Sequence, residues 1–154
     1  MRVSVIITCL GDGLFPGVGA SAVRVLRALG CTVTFPPGQV CCGQPAFNSG
    51  YHDDAGRSAE AYVRAFAGSE CVVSLSGSCA AMVRRYYPLL FAGGAQERAA
   101  CELAERTFEF SEFLTDVLRV NDLPVTCSLK ATLHASTAGC GRRPGETARD
   151  GEWA

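Results

Sequence analysis

Histidine is scarce in this chain, with His52 and His134 the only two among 154 residues. Neither has a cysteine or another histidine at finger spacing, which excludes a histidine-based zinc finger. His52, beside Asp53 and Asp54, reads as an exposed turn residue, and His134 as packing at a strand end. An excess of charge is also missing: the net charge is −1, both signs are scattered, and no basic stripe occurs. A phosphate-contacting nucleic-acid surface is therefore not expected. No stretch approaches the roughly 18 apolar residues of a membrane span. The opening apolar run, Val3–Thr8, is too short for a secretory leader and has no small-residue cleavage pattern after it. These absences predict a cytoplasmic protein without direct membrane insertion, membrane-peripheral at most through partners. A dinucleotide fingerprint is incomplete as well. In Gly11-Asp12-Gly13-Leu14-Phe15-Pro16, a proline stands where the third glycine of G-x-G-x-x-G belongs. Phe35-Pro36-Pro37-Gly38 occupies the place of the ribose-binding acid.

What is present is cysteine: nine residues, an odd number, without secretory features. In a reducing compartment such a set is metal-binding, catalytic or buried rather than disulfide-paired. Cys31 and Cys71 each open a strand-like run, and Cys101 lies on a helical stretch; all three read as small apolar packing residues. The others are spaced differently. Cys9 ends the first apolar run, 31 residues separate it from the adjacent Cys41-Cys42-Gly43, and 35 more separate Gly43 from Cys79 in Ser76-Gly77-Ser78-Cys79.

The length suits about one domain, and 48% hydrophobic residues are enough for a sizeable core. Val3–Thr8, Cys31–Phe35 and Cys71–Leu75 are β-rich runs, and Lys130–His134 is a candidate fourth. Between them, apolar spacing predicts helices over Val18–Leu29, from Asp53 or Asp54 to Ala67, from Cys79 to about Phe91, and from Gln96 to Leu118. Phe108, Phe110 and Phe113 read as core or interface residues of that last helix, and Glu102, Glu105, Glu109 and Glu112 as its wet face. Alternating strands and helices predict a Rossmann-like, three-layer α/β fold with a parallel sheet and right-handed crossovers. Cys9, Cys41, Cys42 and Cys79 each follow a strand, so all four should gather at the carboxyl edge of the sheet, where open α/β folds bind ligands. Residues 1–137 form the expected domain, and the polar tail 138–154 reads as disordered.

Thiolates gathered in this way point to a metal centre, and soft sulfur ligands favour iron–sulfur clusters, zinc or copper over magnesium and calcium. A helix start at Cys79 would lower its thiol pKa, helped by Ser76 and Ser78. Gly43 gives the vicinal pair access to positive φ, and Gly11 and Gly13 would let the first loop approach a bulky inorganic group.

The pattern Cys9-x31-Cys41-Cys42-Gly43-x35-Cys79 resembles the cysteine-rich CCG domain that occurs in heterodisulfide reductase, in the glycolate oxidase iron–sulfur subunit and in LutA/YkgE-type lactate-utilisation proteins. It is most similar to the LutA type, through Thr8-Cys9-Leu10-Gly11-Asp12, Cys41–Tyr51, Ser76–Met82 and Ser111-Glu112-Phe113-Leu114. The resemblance covers residues 1 to 134. It implies an iron–sulfur electron-transfer component in the oxidation of L-lactate to pyruvate, partnered by other iron–sulfur or flavin subunits of a lactate or glycolate oxidation complex. It also implies a 4Fe–4S cluster, cubane or noncubane, with Cys9, Cys41, Cys42 and Cys79 as ligands. Two departures accompany it. Met82 replaces the last cysteine of the family's Cys-x-x-Cys, which leaves four thiolates at most, and Thr137 stands where a second repeat would open. The chain thus reads as the first of two repeats and as inactive if both are needed.

Two other readings remain open at this stage. One is a non-catalytic α/β domain with free thiols or structural zinc at the same cysteines. The other is a Cys79-dependent phosphatase-like enzyme, since Cys79 to Arg85 satisfies Cys-x5-Arg. The segment between them has no glycine and favours helix over a phosphate loop, with Arg84 and Arg85 on a solvated face.

Overall fold

The computed structural model describes residues 1–123 and Ser128. The candidate strand Lys130–His134, with His134, and the tail 138–154 lie outside the described residues.

Four strands form one parallel sheet: β1 (Arg2–Ile6), β2 (Thr32–Thr34), β3 (Val72–Ser74) and β4 (Thr107–Glu109), in the order β2-β1-β3-β4. Val3 pairs with Val33, Val5 with Val73, and Val73 with Phe108. Alternation along β1 and β3 sends side chains to two cores. Val3, Val5 and Val73 meet Leu26 of α2 (Pro16–Ala28), along with Phe113 and Leu114. Ile6 and Val72 meet the other face, formed by α4 (His52–Phe66), α7 (Glu97–Glu105) and the helical run after β3. The result is the expected three-layer α/β arrangement with a helical layer on each side of a parallel sheet. Cys31 and Cys71 are buried in the first core, as their apolar reading required.

The order β2-β1-β3 reverses the direction of winding at β1. The chain leaves β1 toward β2 and then crosses back to β3, so the gap between the carboxyl ends of β1 and β3 is the switch point where such sheets bind ligands.

Several local readings are corrected. The segment Gly11 to Gly13 is not a loop: Cys9–Leu14 forms helix α1, whose N-cap Thr8 accepts a hydrogen bond from the Gly11 N–H at 3.0 Å. A side chain at Gly11 would meet that Thr8 hydroxyl at 2.6 Å, so the glycine serves the cap rather than an open approach. Helix α4 begins at His52, and Asp53 and Asp54 occupy its first turn instead of capping it. Their charges favour that end of the helix dipole. His52 is exposed, as expected, with its ring edge-on to Phe47.

The helix after β3 is divided into α5 (Gly77–Ala81), a π-helical turn (Met82–Tyr86) and α6 (Tyr87–Leu90). Pro88 supplies a reason, because it has no N–H and its ring would clash with the carbonyl four residues back in a regular helix. The long helix expected over Gln96–Leu118 is interrupted. It ends where the Thr107 hydroxyl donates to Leu103 O at 2.7 Å, and Thr107–Glu109 then joins the sheet. A short helix, α8 (Phe110–Glu112), follows with a capping box between Glu109 and Glu112, and runs into a second π turn (Phe113–Val117). Glu102 and Glu105 are on a wet face, whereas Glu109 caps and Glu112 pairs with Arg84 at 2.8 Å. Arg84 is correspondingly not solvated, its side chain being 8% exposed, while Arg85 remains exposed. Among the described residues, no helix is long and apolar enough to cross a membrane.

Candidate metal centre

Each strand end delivers a cysteine by its own device. Beyond β1, the Thr8 cap starts α1 with Cys9 as its first residue, exposed to solvent. Beyond β2, the chain folds back toward β1 through Gln39. Its side-chain amide donates to Val5 O at 3.1 Å, and its side-chain oxygen accepts from Ile7 N–H at 3.2 Å, which extends the sheet edge with a side chain. This holds Cys41 beside Cys9, with the sulfurs 3.7 Å apart.

Gly43 then turns the chain at φ 81°, ahead of α3 (Gln44–Asn48). A Cβ there would lie 3.1 Å from Ala55 O and 3.2 Å from the Ser58 side chain, so the loop is pressed onto α4 at a position that only glycine fits. Gly43→Ala is expected to lower stability by about 2 kcal/mol, combining left-handed strain with this close approach. Thermal melts of the metal-free protein check it; an unchanged midpoint would contradict the packing.

The turn directs Cys42 inward. Its peptide carbonyl accepts from the Tyr87 hydroxyl at 2.9 Å, and its thiol donates to the Cys79 sulfur at 3.4 Å. Cys79 is the third residue of α5, whose start is held by Gln44 donating to Ser78 O at 3.1 Å. The four cysteines foreseen at the sheet edge thus lie together as two thiol pairs: Cys9–Cys41 on the solvent side, and Cys42–Cys79 with only 4% and 8% exposure. None of the seven cysteines among the described residues forms a disulfide. Gln39, Tyr87 and Gln44 position this site without being foreseen as doing so, and only Gln44 lay within a segment noted for resemblance.

The electrostatics follow from the pairing. Hydrogen bonding to Cys79 and burial push the Cys42 thiol far up. The same bond, joined by one from Ser76, lowers Cys79 against the opposing effect of burial. The lowering of Cys79 was anticipated from its helix start, but a neighbouring thiol is the main cause. Burial and the adjacent Cys41 raise Cys9. A cleft of about 440 Å³ lined by Thr8, Cys9, Asp12, Gln39 and Cys41 opens the outer pair to solvent. Iodoacetamide should accordingly alkylate Cys9 and Cys41 of the metal-free protein at least roughly tenfold faster than Cys42, whose thiol is both buried and raised. Peptide mass spectrometry reads the ratio, and equal rates would contradict the burial difference.

The donor set can be tested against a metal group directly. In a tetrahedral thiolate site with a metal–sulfur distance of about 2.3 Å, neighbouring sulfurs lie about 3.8 Å apart. Both sulfur pairs, at 3.7 and 3.4 Å, are close to such an edge. Among the described residues, however, no three Cys, His, Asp or Glu side chains converge on one point that a single ion could hold. Soft sulfur donors of this kind suit an iron–sulfur group, zinc or copper rather than magnesium or calcium.

The Cys-x5-Arg match does not form a phosphate loop. The residues from Cys79 to Arg85 are helical or π-helical throughout, and Cys79 engages Cys42.

Comparison with known proteins agrees with this geometry. The chain is 48% identical over 136 residues to Lactate utilization protein A of Shouchella clausii (strain KSM-K16), covering 88% of this chain and 57% of that protein. It is 47% identical over 137 residues to Lactate utilization protein A 2 of Bacillus cereus (strain 03BB102), and 45% identical over 137 to Lactate utilization protein A 1 of Bacillus anthracis (strain CDC 684 / NRRL 3495), with the same coverage. The chain thus spans 57% of the length of these relatives. No solved structure matches it. The model of the CCG family, described as a cysteine-rich domain, matches residues 3–84, which span all four gathered cysteines, and the chain belongs to that family.

Proposed function

We propose that this chain is an iron–sulfur electron-transfer component of a lactate-utilisation system, acting in the oxidation of L-lactate to pyruvate together with partner subunits. The observation that carries the reading is the gathering of Cys9, Cys41, Cys42 and Cys79 as two close thiol pairs at the sheet's switch point. These four residues would hold a 4Fe–4S cluster, which supplies one-electron storage and transfer. The similarity to proteins named for lactate utilisation supports the pathway.

The chain's own residues give the site an inside and an outside. Cys42, Cys79, Tyr62 and Tyr87 form a dry wall, while Cys9 and Cys41 border solvent. Phe15, Val18 and Phe35 are exposed and, with Val23, line a cleft of about 540 Å³ that Thr8 and Asp12, next to Cys9, also border. Exposed apolar area of this kind beside a redox site supports docking of another component of the oxidation complex. Residues 1–137 remain our proposed domain.

The electron-transfer role is tested by reducing the anaerobically reconstituted protein, removing reductant and adding a one-electron dye. We expect dye reduction equivalent to the iron–sulfur content, lost in Cys42→Ser. A preparation that transfers no electrons, or only as many as its free thiols release, would contradict the role.

A further inference from the structure

The Tyr62 hydroxyl is the one feature of the inner wall that packing does not explain. Tyr62 lies on the buried face of α4 with Ala55, Ala59 and Phe66, and is completely inaccessible. Its ring stacks at a tilt on Phe66, with centroids 4.7 Å apart, and meets Tyr87 edge-on at 5.6 Å. A phenylalanine would fill the same space. The hydroxyl has no hydrogen-bond partner among the described residues, and a buried polar group without a partner destabilises a core. Tyr87 forms a contrast in the same wall, since its hydroxyl donates to Cys42 O.

The surroundings of the unpartnered oxygen identify its acceptor. Tyr62 is buried in the same core cluster as Cys42 and Cys79, and its ring meets that of Tyr87, whose hydroxyl reaches Cys42 O, so the phenol lies beside the inner thiol pair. Burial holds that phenol well above its ordinary range, which keeps the proton on the oxygen and leaves it a donor. The acceptor that would satisfy it is negative, sulfur-rich and brought in with the metal.

We propose that the Tyr62 hydroxyl donates a hydrogen bond to a sulfur of the iron–sulfur group held by Cys9, Cys41, Cys42 and Cys79, and so raises that group's reduction potential. The inference rests on the cluster reading above. A donor to sulfur stabilises the more negative, reduced state in preference to the oxidised one. The hydroxyl therefore destabilises the empty protein and acts favourably only in the loaded one.

The test is Tyr62→Phe, with wild type and variant reconstituted anaerobically, assayed for iron and sulfide, and titrated by EPR. Both should load fully. At a fixed solution potential the ratio of reduced to oxidised centre should fall roughly fivefold in the variant, the effect of about one hydrogen bond. Metal-free Tyr62→Phe should melt at the same temperature as wild type or higher, whereas Tyr87→Phe should melt lower because it loses a bond already made. Coincident potentials in two fully loaded proteins would overturn the proposal while leaving the cluster intact. A destabilised metal-free Tyr62→Phe would overturn it as well, by showing that the hydroxyl already has a structural partner. Absence of iron and sulfide from wild type would instead remove the cluster reading, and the proposal with it.

Discussion

Serine at both Cys41 and Cys42 should reduce the iron and sulfide taken up on reconstitution by at least roughly tenfold, because hard hydroxyls replace soft thiolates at two positions. The expected effect is large because the vicinal cysteines are divided between the pairs. Cys41 faces Cys9 at 3.7 Å, and Cys42 faces Cys79 at 3.4 Å, so the double substitution removes one sulfur from each. The metal-free fold should survive, since serine is nearly isosteric and the turn is held by Gly43 φ and by the Tyr87 bond to Cys42 O. A loss of about 1–2 kcal/mol is expected from the polar group placed at buried position 42. Cys31→Ser/Cys71→Ser provides the control. Both residues lie in the core on the other sheet face, so iron uptake should be unchanged. Equal uptake by the Cys41/Cys42 variant and wild type would show that the pairs are not ligands.

Glu112→Ala should destabilise the protein by about 3 kcal/mol, the cost of leaving a buried charge uncompensated. The Arg84 side chain is 8% exposed and donates to Glu112 at 2.8 Å from the π turn that follows Cys79. Glu112 also accepts from Glu109 N–H at 3.2 Å in the capping box, so its removal loosens the start of α8. The pair ties the helical run carrying Cys79 to the segment after β4. Arg84→Met should cost less, since Glu112 is 21% exposed and better able to rehydrate. The double variant Arg84→Met/Glu112→Leu should recover part of the loss, because well-packed apolar residues can replace a buried ion pair at little cost. Denaturant titration of all three variants reads these differences. A Glu112→Ala change below about 1 kcal/mol would place this pair with ordinary surface ion pairs.

The legible parts of the sequence were those with strong periodicity. Three β-rich runs and their intervening helices were apparent, and with them the strand-end placement of the four cysteines, because parallel topology fixes which ends converge. Gly43 was also readable from its chemistry, and it does adopt positive φ. The last helical stretch misled because Leu103, Phe110, Phe113, Leu114 and Val117 fit helical spacing. A strand of three residues leaves no alternation long enough to oppose that pattern, and only the long-range pairing of Thr107 with Val72 sets it. Arg84 and Glu112 read as wet-face residues because Arg84 adjoins Arg85 and Glu112 continues the helical spacing of the glutamates, whereas their partnership spans 28 residues. Gln39 was invisible for a similar reason: its role is to supply backbone-like hydrogen bonds to a strand 34 residues away. Tyr62 falls on the buried face of α4 by helical spacing, but an apolar pattern treats its hydroxyl as absent.

The most direct test of the central claim is metal analysis of the full chain after anaerobic reconstitution with iron and sulfide in the presence of competing zinc. Near-stoichiometric iron and acid-labile sulfide for a four-iron group, with little zinc, are expected. Zinc at one ion per chain without sulfide, or no bound metal in a protein whose melt shows it folded, would contradict that claim.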